Sequence, residues 1–131
     1  MFHLEGVRSE KLGYKLEKAI QRYNLSSLMD LDVEIIEDEN LPRLLGSGRS
    51  TIYVKSLAQA SSVELLALLL VHELAHLKGI KSQKDAMNFA HDYLKFGFLK
   101  RLKVEVELFL WEAFRVRGEI DRGAERAIES W

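Results

Sequence analysis

Residues 61–79, SSVELLALLLVHELAHLKG, decide how the chain is read. Ser61 is a good helix N-cap, and Glu64, three positions on, completes a capping box in which hydroxyl and carboxylate take up two backbone amides. Gly79 supplies the stop, because glycine enters the left-handed backbone region without steric cost. Between these ends, Val63, Leu65, Leu66, Leu68, Leu69, Leu70, Val71, Leu74 and Leu77 make the segment apolar almost all round. That is the pattern of a helix buried at the centre of a domain.

Three polar residues interrupt the run, His72, Glu73 and His76, spelling H-E-L-A-H. Residues i and i+4 of a helix share a face, so the two imidazoles can aim at one point, as a zinc ion requires. Glu73 is turned by about 100° from His72 and can reach a water held there without being a ligand. A metal lowers the pKa of such a water to about 7, and a carboxylate can take its proton, which makes a nucleophile for a peptide carbonyl. A plain solvent-facing polar strip explains the residues less well. Ionisable groups inside an apolar helix carry a desolvation penalty that a partner or a metal must offset.

At 131 residues the chain suits one domain, residues 1–131, with a single hydrophobic core. The net charge of −1 argues against nucleic acid or a membrane surface as partner. With no cysteine there is neither a disulfide framework nor a thiolate zinc site, so zinc must be held by histidine and carboxylate. The N-terminal MFHLEGVRSE lacks an apolar signal core, and the apolar run 65–71 is far too short for a bilayer, so a cytoplasmic protein is expected. The 30% charged content without cysteine matches the bias of thermophile proteins.

In chain order, residues 9–24 carry Leu12, Leu16, Ile20 and Tyr23 at helical spacing, capped by Ser9. Residues 31–37 alternate as a half-buried strand, and 41–45 can form a short edge strand held back by Pro42. Gly46-Ser47-Gly48 reads as a loop, and it lacks the Lys of a phosphate loop. Residues 50–55, STIYVK, are the best strand. At a sheet edge over the 61–79 helix, Ser50, Thr51, Ile52, Tyr53 and Val54 could receive an extended peptide by strand addition. Ser82 with Asp85 caps a third helix striped by Ala86, Phe89, Ala90, Tyr93 and Leu94. A fourth helix, 99–117, presents Leu102, Val106, Phe109, Leu110, Ala113 and Val116 to the core and breaks at Gly118. Residues 119–131 form a charged amphipathic end, with Ala124, Ala127, Ile128 and Trp131 on one side. The basic cluster Lys95, Lys100, Arg101 and Lys103 reads as a solvated helix face. The expected fold is α+β, a small twisted sheet of about three strands on a central helix plus three or four more.

A catalytic zinc site keeps three protein ligands and one open position. A metzincin carries the third ligand six residues after the second histidine, three beyond a glycine. Gly79 is in place, but Ser82 stands where the ligand is needed, so that scheme fails. Asp85 is explained by capping, and His91 or Asp92 would need the third helix to turn its other face inward. Glu105 and Glu112 are seven apart on one face of the fourth helix and suit a ligand and a partner to an imidazole N–H. Glu105 is the first choice and Glu112 the second.

The succession STIYVKSL, LLLVHELAHL and a later glutamate helix resembles the gluzincin metallopeptidases, nearest in size to the minigluzincins, with the ImmA/IrrE-type peptidases as relatives in layout. The resemblance spans roughly residues 33–116, and HELAH is its specific motif. It implies a small α+β peptidase fold with Glu73 as general base and residues 50–54 as the strand that aligns substrate. The family's third ligand sits in an E-x-x-A setting. Glu105-Val106-Glu107-Leu108-Phe109 is the nearest match, with Leu108 where alanine is usual. Such minimal scaffolds can be latent, with a tail over the zinc, a role open to residues 119–131.

The expected activity is therefore a zinc-dependent endopeptidase acting on a peptide or protein, with Tyr53, His91 or Tyr93 steadying the oxyanion. The alternatives are a silent zinc-binding module that holds an extended partner segment, and an interaction domain in which HELAH is accidental.

Overall fold

The computed structural model describes the backbone of residues 1–129 and the side chains of residues 1–113. The elements run β1 (Phe2–Gly6), α1 (Glu10–Arg22), β2 (Val33–Glu37), β3 (Leu45–Gly48), β4 (Thr51–Val54), α2 (Val63–Leu77), α3 (Gln83–Leu94) and α4 (Phe98–Glu129). Short 3-10 turns lie at Leu25–Leu28 and Ser56–Ala60. The fold is α+β, with four helices and one four-stranded mixed sheet. The chain divides into two compact units, Met1–Phe96 and Gly97–Trp131.

In the first unit the strands lie in the order β1-β2-β4-β3. β1 and β2 are parallel, as are β2 and β4, while β3 runs antiparallel to β4. Period-2 alternation buries Val33 and Ile35 of β2 and Ile52 and Val54 of β4 on the core face. β3 and β4 are joined by Arg49 and Ser50, a two-residue turn with Arg49 in the left-handed region at φ 55°.

Two strand expectations are corrected here. The strand expected at 41–45 begins at Leu45 and runs through the Gly46-Ser47-Gly48 segment that read as a loop. Pro42 has no N–H to give a ladder, and an edge strand tolerates glycine because its outer side packs against no further strand. Residues 51–54 are not at the edge. β4 pairs with β2 along one side and with β3 along the other, over the same four residues. Its backbone groups are spoken for, so strand addition to Thr51–Val54 is closed, and β3 is the edge on that side. β1 was not foreseen. Its alternation amounts to Phe2 and Leu4, and it is held by pairing with β2, where Phe2 meets Val33.

α1 buries Leu12, Leu16, Ala19 and Ile20 as its spacing dictates. It ends at Arg22, and Asn24 then takes a left-handed φ of 51°. The Tyr93 hydroxyl fastens this corner, 3.0 Å from the Tyr23 carbonyl oxygen and 2.7 Å from that of Asn24.

α2 buries Leu65, Leu66, Ala67, Leu68, Leu70, Val71, Leu74 and Ala75, and packs against α1, α3 and β3. Its N-cap is Ser62, whose Oγ accepts the Leu65 amide at 3.1 Å. The expected cap, Ser61, instead donates its hydroxyl to the Ala58 carbonyl at 2.6 Å and finishes the preceding 3-10 turn. The register of the helix start is thus one residue later, and Glu64 pairs with Arg22 at 3.5 Å. At the other end Gly79, with φ 105°, reverses the chain. Its amide bonds the His76 carbonyl at 3.0 Å and the Ile80 amide bonds Ala75 at 3.1 Å, the two bonds of a Schellman motif. Three residues beyond Gly79, α3 starts under the cap of Ser82, whose Oγ accepts the Asp85 amide at 3.2 Å.

The second unit is built on α4. The helix passes through Gly118 without the expected break, since one internal glycine costs about 1 kcal/mol against the continuity of a long helix. The expected core face is also corrected. Leu102, Val106, Phe109 and Leu110 are 48–70% exposed, and among the described side chains of α4 the buried one is Val104, at 2%. Two residues correspond to about 200° around a helix, so Val104 lies on roughly the opposite side from Leu102 and Val106. The side chains of Val116, Ala124, Ala127, Ile128 and Trp131 lie outside the described residues. Among the described residues no helix is long and apolar enough to cross a membrane.

Candidate metal centre

The last turns of α2 carry the three polar residues into the first unit's interior. His72 is 6% exposed and Glu73 9%, while His76 is half-buried one turn further on. The i, i+4 spacing brings the imidazoles together with ring centroids 4.7 Å apart and planes 81° from each other. Nε2 of His72 and Nε2 of His76 stand 3.0 Å apart.

Each ring is held differently. His76 Nδ1 lies 2.7 Å from the Ile80 carbonyl oxygen, an acceptor, so Nδ1 carries the proton and Nε2 presents a lone pair. This backbone partner is the kind that fixes a metal-binding imidazole. His72 Nδ1 is buried without a hydrogen-bond partner among the described residues. Burial holds the His72 pKa below its ordinary value, an effect that the Gln83 hydrogen bond and the Glu73 charge partly oppose. The neutral imidazole, the form that ligates metals, is thereby favoured.

Gln83, the first residue of α3, joins the pair. Its Oε1 lies 2.6 Å from His72 Nε2 and 3.1 Å from His76 Nε2. Sequence reasoning passed it over because a neutral amide next to a helix cap reads as surface. The signal was the Gly79 turn followed by the Ser82 cap, which returns the chain to the end of α2. Within Met1–Phe96, no third His, Asp or Glu among the described residues gathers with His72 and His76 into a metal-holding group.

Glu73 is a carboxylate with little exposure whose charge acts on His72. Asp85 sits in the first turn of α3 with its amide on the cap, and His91 is half-buried further along that helix. Glu105 and Glu112 lie on α4 in the second unit, where the Glu105 carboxylate accepts from Arg101 at 3.2 Å. Tyr93 is committed to the α1 corner and leaves the set of oxyanion candidates. Tyr53 is half-buried on β4.

The donor chemistry fits a divalent ion of the zinc type: two imidazole nitrogens and an amide oxygen converge, and a buried carboxylate stands next to them in the chain. No protein-family model, no curated protein and no solved structure matches the chain.

Proposed function

We propose that the chain is a zinc-dependent peptidase whose centre lies at the end of α2. The observation that carries this reading is the convergence of His72 and His76 Nε2 at 3.0 Å, with the buried Glu73 next to His72 in the chain. His72 and His76 would hold the ion. Zinc, when bound, supplies Lewis acidity that acidifies water and polarises a carbonyl. Glu73 takes a proton from the attacking water and returns it to the leaving amine, the two roles of one general acid–base. His76, oriented through its Nδ1–H on Ile80, keeps its Nε2 lone pair aimed at the same point.

The substrate is taken to be an extended peptide. β3, the edge strand packed beside α2, is the strand to which such a peptide would add in place of Thr51–Val54. Residues 119–131 are proposed as a regulatory segment, and truncation after Gly118 should raise cleavage of a casein-type substrate. A cytoplasmic location is part of the same proposal.

Two measurements test the activity. Purified wild-type protein, kept from chelators, should carry about one zinc per chain. Glu73→Gln should retain that zinc and lose cleavage by about 10²–10⁴-fold, the usual contribution of a general base. Zinc without any wild-type cleavage would favour a silent binding module, and protein that takes up no zinc would end the metal reading.

A further inference from the structure

We infer that Gln83 Oε1 is the third protein donor of the metal centre, so that His72, His76 and Gln83 complete it within the first unit without a carboxylate ligand. This rests on the zinc reading above.

The three atoms form a triangle with edges of 2.6, 3.0 and 3.1 Å. Proton counting shows what such a triangle needs. His76 Nδ1 gives its proton to Ile80, so His76 Nε2 is a bare lone pair. Gln83 Oε1 is an acceptor. The single proton that a neutral His72 can place on Nε2 cannot point at both neighbours. One cation at the centre satisfies all three atoms together. A tetrahedral ion with metal–nitrogen bonds of about 2.0–2.1 Å needs ligand atoms about 3.3 Å apart, and small rotations of the glutamine and the rings open the triangle that far.

The backbone delivers Gln83 to this place. The Schellman turn at Gly79 reverses the chain, Ser82 caps α3, and the next residue projects back onto the end of α2. The HExxH-plus-glycine layout that failed at Ser82 is therefore completed one residue later. Glu105 has a partner within its own helix, Arg101.

A neutral donor set has chemical consequences. The ion keeps its full double charge, holds on less firmly than with a carboxylate ligand, and attracts anionic groups of a ligand more strongly. Position 83 also sits in a helix first turn, where a negative charge is well tolerated.

The test measures zinc affinity of the full chain by chelator competition, with circular dichroism to confirm that each variant is folded. Gln83→Ala should weaken zinc at least tenfold, Gln83→Glu should tighten it several-fold, and Glu105→Gln should leave it unchanged. The weakening in folded Gln83→Ala carries the assignment, and the tightening in Gln83→Glu accompanies it as a charged oxygen donor replaces a neutral one. Wild-type affinity in both Gln83 variants, or loss of zinc in folded Glu105→Gln, would overturn the assignment while leaving the peptidase proposal standing. A wild-type chain that binds no zinc would overturn both.

Discussion

The Ile80 carbonyl oxygen lies 2.7 Å from Nδ1 of His76, and Ile80 is the residue whose amide closes the helix on Ala75. One residue thus ends α2 with its N–H and sets the tautomer of an imidazole with its C=O.

That coupling ties Gly79 to the proposed site. At φ 105° it occupies a conformation that side chains rarely adopt. Gly79→Ala should destabilise the fold by about 1–3 kcal/mol. By shifting Ile80 it should also weaken zinc binding about tenfold, the lower end of the effect of losing an outer partner to a ligating histidine. Thermal unfolding and zinc titration read the two effects separately. Unaltered affinity in the folded variant would remove Ile80 from the site.

The register of the α2 start is measurable. Ser62→Ala removes the acceptor of the Leu65 amide and should cost about 0.5–2 kcal/mol in denaturant unfolding. Ser61→Ala should cost less, since the Ala58 carbonyl that it contacts also accepts the Ser61 amide at 3.0 Å. The reverse order would place the cap at Ser61.

Tyr93→Phe separates structure from catalysis. It deletes the hydroxyl that reaches the Tyr23 and Asn24 carbonyls and should lower stability by about 0.5–1.5 kcal/mol. Activity of the folded variant should stay at the wild-type level. A large fall in kcat would return Tyr93 to the oxyanion candidates.

Glu39 gives a pH dependence of known sign. Hydrogen bonds from the Ser56 side chain and backbone, the latter at 2.9 Å, hold its pKa below the ordinary 4.5. A depressed carboxylate pKa stabilises the fold above the unfolded value, and that contribution disappears as pH falls through the folded value. The stability difference between wild type and Glu39→Gln should therefore be largest near neutrality and shrink below pH 4.5. A difference that is flat across this range would deny the charge any part.

How far the residues announce the fold depends on the range of the forces involved. α1, α2 and α3 are legible because leucine and alanine spacing acts within a turn or two, as does the Ser82 cap of α3, whereas Ser9 makes no side-chain cap bond and the α2 cap is Ser62. The His72–His76 pair follows from helix geometry alone. β1 is hidden, because five residues with two apolar side chains mean little until Val33 lies beside Phe2. β3 is obscured by glycines that signal a turn yet serve at a sheet edge. Among the described side chains of α4, Val104 is buried and Leu102 and Val106 are exposed, a choice that periodicity alone could not make. Gln83 is invisible for a chemical reason: an amide is read as a metal donor once its oxygen is seen beside two imidazole nitrogens, and not before.

Because β4 inserts between β2 and β3, both of which precede it along the chain, the sheet cannot close until its last strand arrives. Such non-local pairing is slow, whereas the α2–α3 hairpin brings together residues eleven positions apart. The imidazole pair and its amide neighbour are thus expected to assemble early, on a helical hairpin that can form before the strands zip up around it.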